Sequence, residues 1–342
     1  VNSTAPTGQI LEISDPRWLD FSDAAPGACI FHHPAWSELM ARAYGFRPFV
    51  LAIVDAAGGI RAGLPVIETR PRHWTSLPFT DHCAPLALDA ESLGRLTDFA
   101  LASYRDRGLD SLELRWPYPT RPLVRPKDLF VIHNLALDGD FEAVSRQIHA
   151  MHRRNAKNAQ KRGVRIHSGT GKDELKAFYA LHLETRRRQG TPVQPWAFFE
   201  ALRSQVLDKG LGFILLAYHE KDCLAAAVFL HWGETLTYKY GASSISGLSL
   251  RPNDLLFTEA IRWGCENGYQ VMDFGRTDFA NTGLREFKSR WGAAETPLTY
   301  SFIPAAPDGH ESRLMSLAQA VIRRSPRLVC RLTGELLYRY FG

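Results

Sequence analysis

Residues 271–291 read VMDFGRTDFANTGLREFKSRW, and this stretch decides how the rest of the chain is read. Tyr269 to Met272 form a short apolar strand pattern; Asp273, Gly275 and Arg276 follow, and a loop with Asn281 and Gly283 leads into Leu284 to Trp291. Polar residues gather where the strand is expected to end. In open α/β sheets ligands collect at the carboxyl ends of strands, so this segment is expected to form one wall of a site. Asp273 and Arg276 allow two readings: a mutual ion pair that holds the loop, or an arginine whose planar fork faces an anionic substrate group.

Working outward, the 342 residues are 45% hydrophobic, enough for substantial cores and two domains of ordinary size. Lys and Arg number 41 against 36 Asp and Glu, a net charge of +5, so the distribution of charge matters more than its total. Five scattered cysteines without a CxxC pair suit a reduced, cytosolic chain. The start, VNSTAPTGQILEIS, lacks a basic region followed by an apolar core, and no apolar run approaches the ~20 residues that span a bilayer. The twelve histidines show neither HExxH nor a Cys/His cluster at ligand spacing, so no metal site is expected.

The first part of the chain reads as a helix over 31–44 opened near Pro34, then strands over 47–54 and 60–67 joined through Ala56–Gly59, a hairpin signal. The proline-flanked loop holding Asp81 and His82 is expected to be surface-exposed. A helix over 91–107, a strand over 111–116, a proline-rich break and a strand over 129–137 complete this part. Asp81 and Asp89 each have a plain reading as turn-capping residues.

The second part opens with the most charged element. Arg153, Arg154, Lys157, Lys161, Arg162 and Arg165 lie together with no acidic residue among them, which suits a solvated face or a phosphate-binding surface. HSGTGKD at 167–173 is not a Walker loop, because Asp173 follows Lys172 where Ser or Thr is required. A helix over 175–190 ends in three arginines and Gly190, as helix-end electrostatics favours. After a helix over 195–207, strands over 213–218, 224–232 and 235–240 form a meander. Tyr238 and Tyr240 alternate there as cleft-lining or core residues. The segment 312–342 is a helical pattern rich in arginine on one side and apolar on the other, suited to capping a domain or lying on anionic lipid.

Several of these pieces together resemble the FemAB-like (BioF2-like) acyltransferases. They are His32, Pro34 and Trp36 ahead of the hairpin; Lys161, Gly163 and Val164 closing the basic helix; Tyr238, Tyr240, Gly241, Ala242 and Ser243; and the strand ending in Asp273, Phe274 and Gly275 before Phe287, Lys288, Trp291 and Gly292. The resemblance implies an α/β fold of two tandem GNAT-like modules with mixed central sheets, over residues 1–139 and 140–309, followed by the basic amphipathic helix of 310–342. It implies transfer of an acyl or aminoacyl group to an amine of a cell-envelope precursor, peptidoglycan or exopolysaccharide. The donor is aminoacyl-tRNA or acyl-CoA, with no tightly bound cofactor.

By the same resemblance Lys288 supplies the cation that meets the oxyanion of the attacked carbonyl, an effect worth ~3 kcal/mol. Asp81 or Asp89 stands near the acceptor amine, Arg188 contacts the acceptor's phosphate, and Asp273, Arg276, Phe287, Tyr238 and Tyr240 serve substrate binding. Arg153, Arg154, Lys157, Lys161 and Arg162 face RNA or phosphate. The implied partners are an anionic glycan or peptide precursor, tRNA, and a peripheral contact with the inner membrane; the oligomeric state is left open. Two features point away from parts of this reading: the Gly-rich loop that wraps acetyl-CoA pyrophosphate is missing, and so is the two-helix arm of some tRNA-using relatives. The alternatives are an acyl-CoA-dependent N-acyltransferase on a small amine and a non-catalytic RNA-binding protein.

Overall fold

The structure, a computed structural model, describes residues 6–305 together with Ile322 and Arg331. In chain order the elements are β1 (Thr7–Glu12), α1 (Pro16–Ala24), α2 (Pro34–Tyr44), β2 (Arg47–Val54), β3 (Ile60–Arg70), β4 (His73–Ser76), β5 (Leu86–Ala87), α3 (Ala90–Asp106), β6 (Ser111–Leu114) and β7 (Arg125–Ala136). There follow α4 (Phe141–Gln147), α5 (Ala150–Lys161), β8 (Val164–Gly169), α6 (Lys172–Gln189), α7 (Trp196–Gln205), β9 (Gly212–His219), β10 (Asp222–Trp232), β11 (Thr235–Ser243), α8 (Pro252–Glu266), β12 (Val271–Asp278), α9 (Thr282–Arg290) and β13 (Ala294–Ile303).

Local chemistry sets most of these boundaries. Pro34 starts α2, where the missing N–H costs nothing, and the His33 ring accepts from the Ala35 N–H at 3.1 Å. The β2–β3 turn is closed by Asp55, whose Oδ1 takes the N–H groups of Ala57 and Gly59, each at 2.9 Å. Helix α6 stops at Gly190, whose φ of 76° is open to glycine at no steric cost.

The chain forms two compact units that exchange segments. Of the described residues, those through Ile132, with Arg276–Asn281 and residues 296–305, make the first; His133–Gly275 with Thr282–Glu295 make the second. Strands β7, β12 and β13 each contribute to both, an interleaving that a single cut after residue 139 does not express. In the first unit the strands run β1-β2-β3-β4-β6-β13-β7, with β5 beside β3, and the core holds Trp18, Trp36, Val50, Leu64 and Leu112. The second unit has the order β12-β11-β10-β9-β8 over a core that includes Leu135, Phe229, Leu256, Phe257, Met272 and Trp291.

Three sequence expectations change. Strand β12 does not end at Met272 but runs to Asp278: the Asp273 carboxylate accepts the Gly275 N–H at 2.7 Å, and Gly275 adopts a φ of 72°, so the strand absorbs a polar kink. The basic helix ends at Lys161, and Val164–Gly169 form an unforeseen edge strand paired with β9, which carries Arg165. The loop with Asp81 and His82 is half-buried rather than surface-exposed. The basic segment of 310–342 lies outside the described residues, apart from Ile322 and Arg331. Among the described residues no helix is long and apolar enough to cross a membrane.

Candidate functional site

Strands β11 and β12 pair in parallel over three residues only, Thr235–Thr237 against Val271–Asp273, and their ladder ends there. Beyond that point β11 continues to Ser243, held by β10. Two parallel strands that part within a sheet leave main-chain groups and a crevice at their carboxyl ends, where ligands collect in α/β folds. The register of β10 and β11 also slips, Val228 opposing Tyr240 and Phe229 opposing Tyr238, which makes Lys239 the extra residue of a β-bulge.

That bulge sends the two tyrosines to different neighbours. Tyr238 packs on Phe229, Phe257 and Phe274, while Tyr240 packs on His182, Phe198 and Phe199. Both thus take the packing reading, on different neighbours rather than on one shared face. Burial pushes the Tyr238 hydroxyl up to about 12. A Cβ at Gly241 would stand 1.8 Å from that oxygen, so glycine is required where the phenol crosses β11.

Lys288 is the buried residue of α9, with 3% of its surface accessible, and its ammonium donates to the Gly275 carbonyl at 2.8 Å. Lysine almost never takes the buried position of a short helix, because losing hydration costs several kcal/mol unless other acceptors replace water. Gly275 therefore links two roles: its N–H is held by Asp273, itself 2% accessible, and its carbonyl holds Lys288. An ammonium fixed in this way on the Gly275 carbonyl suits a neighbouring oxygen that acquires negative charge.

A second set of ionisable groups borders this cation. His133, fully buried on β7, has Nε2 3.0 Å from Oε2 of Glu295. Arg285 on α9 grips the same carboxylate with both arms, Nε to Oε2 at 2.9 Å and Nη2 to Oε1 at 2.7 Å. The Arg285 bond holds Glu295 below the usual carboxylate range, against partial burial. Burial first, and the Lys288 cation second, push His133 below its ordinary value although Glu295 pulls the other way, so the imidazole is neutral near pH 7. His133, Glu295 and Arg285 were not foreseen; the one available signal was a histidine at an inward position of the alternating run Val131, His133, Leu135.

The remaining expected residues are dispersed. In the first unit Arg276 lies over the Phe130 ring at 4.2 Å and donates to the Tyr300 hydroxyl at 2.5 Å; that hydroxyl donates to the Asp81 carbonyl at 2.6 Å. The Asp81 carboxylate is 3.9 Å from Arg276 Nε, so this pair is local to the first unit, whereas Asp273 belongs to the second. Asp89 takes its plain reading: it caps α3 through the Ser92 N–H at 2.7 Å and pairs with Arg61. Arg188 is exposed and donates to the Ser243 carbonyl at 3.2 Å. Phe287 packs on the core beside His152, Phe257 and Trp291.

The basic helix has a groove of about 520 Å³ beside it, between α4, α5 and α8, and Arg153, Arg154, Lys157 and Lys161 line it with Glu142 and Glu259. Arg162 instead donates to the Ser249 carbonyl at 2.9 Å. On its inner side α5 is fixed to α8 by His152, whose Nδ1 makes a short hydrogen bond with the Asp254 carboxylate.

Comparison with known proteins bears on the fold. Residues 146–289 match the family model described as an acetyltransferase (GNAT) domain. The structure is similar to the crystal structure of FemX, at 14% identity over 92% of this chain and 100% of that one, with a TM-score of 0.69. It is also similar to the C-terminal domain of a lysylphosphatidylglycerol synthetase from Agrobacterium fabrum (15% identity, 90% and 96% covered, TM-score 0.59). A tandem GNAT protein from the clavulanic acid pathway follows at 10% identity, 88% and 100% covered, and a TM-score of 0.55. No curated protein sequence matches the chain. The resemblance read from the motifs is thus borne out at the level of fold: a GNAT-type domain sits within a chain that has the α/β architecture of the FemAB-like, tandem-GNAT proteins.

Proposed function

We propose that the protein is an acyltransferase that moves an acyl or aminoacyl group from an activated ester or thioester to an amine of an anionic cell-envelope precursor. The observation that carries this reading is Lys288, a buried cation anchored on the Gly275 carbonyl beside the parting of β11 from β12. When an amine attacks a carbonyl, charge collects on its oxygen, and a fixed cation in a dry site is worth far more there than in water. Asp273 orients Gly275, and neutral His133 beside Glu295 keeps a further positive charge away from Lys288.

The envelope-precursor acceptor rests on the fold likeness to FemX and to the lysylphosphatidylglycerol synthetase domain. The GNAT-domain match over residues 146–289 favours acyl-CoA as donor, and the cation-lined groove beside α5 favours a phosphate-rich one such as tRNA. Incubating the purified protein with a panel of acyl-CoAs and charged tRNAs against amine-bearing envelope precursors, with products read by mass spectrometry, tests the reading. A mass increase of one acyl unit on the acceptor supports it. Hydrolysis of donor with no acceptor modified, or salt-sensitive RNA binding with no transfer at all, contradicts it.

A further inference from the structure

Helix α9 meets the protein mainly through charged groups. Of its nine residues Lys288 alone is buried, Arg285 and Phe287 are half-buried, and the rest are exposed. A helix this short does not hold its orientation unaided. Phe287 and, just past the helix end, Trp291 pack on the core, but apolar burial is non-directional and sets where the helix lies more tightly than how it is turned about its axis.

Directional bonds fix that rotation. Arg285 and Lys288 stand three residues apart and therefore share one face of α9. Arg285 meets Glu295, at the start of β13, through two bonds, Nε to Oε2 at 2.9 Å and Nη2 to Oε1 at 2.7 Å, and such a fork constrains angle as well as distance. The same Oε2 lies 3.0 Å from Nε2 of His133 on β7, a fully buried ring that feels the Lys288 charge. One carboxylate thus ties the Lys288 face of α9 to β7 within the second unit. The pair of Arg290 with Glu286, at 2.5 Å, joins two exposed residues of the same helix, so it does not orient α9 against its surroundings.

We infer that Glu295 is a positioning residue: by gripping Arg285 and facing His133 it sets the rotation of α9 that lays the Lys288 ammonium on the Gly275 carbonyl. The placement stands on these contacts, and its consequence for turnover rests on the transfer reaction proposed above.

The placement is read without substrate. Reductive methylation of the folded full chain with formaldehyde and a borane, followed by peptide mass spectrometry, reports how open each lysine is to reagent. Lys288, 3% accessible, is expected to label far more slowly than the exposed Lys176. Glu295→Gln, which keeps the shape and removes the charge, raises labelling of Lys288 by about tenfold or more. Arg285→Lys, which keeps the charge and loses the fork, raises it by about threefold and serves alone if Glu295→Gln does not fold. Arg290→Gln leaves it within about twofold, and Lys176 labels at one rate throughout, which separates a turned helix from a loosened fold. Where transfer is measured, Glu295→Gln lowers kcat by about tenfold with KM little changed and adds nothing once Lys288→Met is in place, a non-additivity that a merely structural loss does not give. Unchanged Lys288 labelling in Glu295→Gln and Arg285→Lys, an equal rise in Arg290→Gln or at Lys176, or full additivity with Lys288→Met overturns the inference. The expected labelling changes without any transfer uphold the positioning and remove the proposed reaction.

Discussion

Two cationic regions of the second unit, Lys288 and the α5 stripe, make opposite use of charge. Lys288 is a single ammonium, 3% accessible and bonded to the Gly275 carbonyl. Arg153, Arg154, Lys157 and Lys161 are several heads on one groove about 520 Å³ in volume, with Arg154, Lys157 and Lys161 exposed. A buried cation acts over ångströms, resists screening and repays its desolvation only against a defined oxygen. Exposed cations act collectively over about a Debye length, ~10 Å in 0.1 M salt, and their effect fades as salt is added. The first arrangement suits chemistry and the second suits holding a large anion.

The sharpest break of that comparison is in turnover. Lys288→Ala is expected to lower kcat by about 10²–10³, the range for removing one oxyanion donor, whereas Arg153→Gln with Lys157→Gln and Lys161→Gln leaves kcat unchanged once substrate saturates; steady-state kinetics reads both. The same triple substitution should weaken a phosphate-rich ligand by about 10–100-fold at low salt and flatten the dependence of log Kd on log salt by roughly three times 0.7–0.9, as seen in titrations at several salt concentrations. Lys288→Ala should leave that slope as it is.

Smaller effects bear on the scaffold around the site. Gly241→Ala places a methyl group where the Tyr238 hydroxyl lies and is expected to cost about 1–3 kcal/mol of stability, measured by denaturant unfolding. The least is a pH effect. His182 is lowered to about 3, by burial first and the Arg186 charge second, and His32 to about 4 by burial. As pH falls through 6.5 the unfolded chain binds protons that these folded rings refuse, so stability declines from there down to about 3 and is fully retained only above 6.5. His182→Gln should make the thermal midpoint less steep across that window.

Much of the fold was legible in the sequence because its elements carry local signals. Pro34, the Asp55 turn, the Asp89 cap and Gly190 mark their boundaries through chemistry within a few residues. The two units' exchange of segments was not legible, since it depends on which partners β7, β12 and β13 find far along the chain. At the site, the FK pair and the DFG run drew attention to Lys288 and Asp273, and both are buried around Gly275. Tyr238 and Tyr240 pack as core residues, one of the two readings the sequence offered; that they meet different neighbours was not legible, because alternation assumes an unbroken ladder and the bulge at Lys239 exists only in the pairing with β10. His133 and Glu295 stand far apart in the chain, and no spacing rule joins them.

The most direct measurement is the single-turnover rate of acyl transfer by Lys288→Met, a variant of similar volume without the charge. Removing the ammonium leaves the Gly275 carbonyl unsatisfied at a cost of roughly 1–3 kcal/mol, so circular dichroism and the thermal midpoint first establish that the fold persists. The expected result is a rate lower by about 10²–10³ with substrate affinity little changed. A folded Lys288→Met variant whose rate stays within about threefold of the original contradicts the account, because Lys288 then contributes well under 1.4 kcal/mol to the transition state.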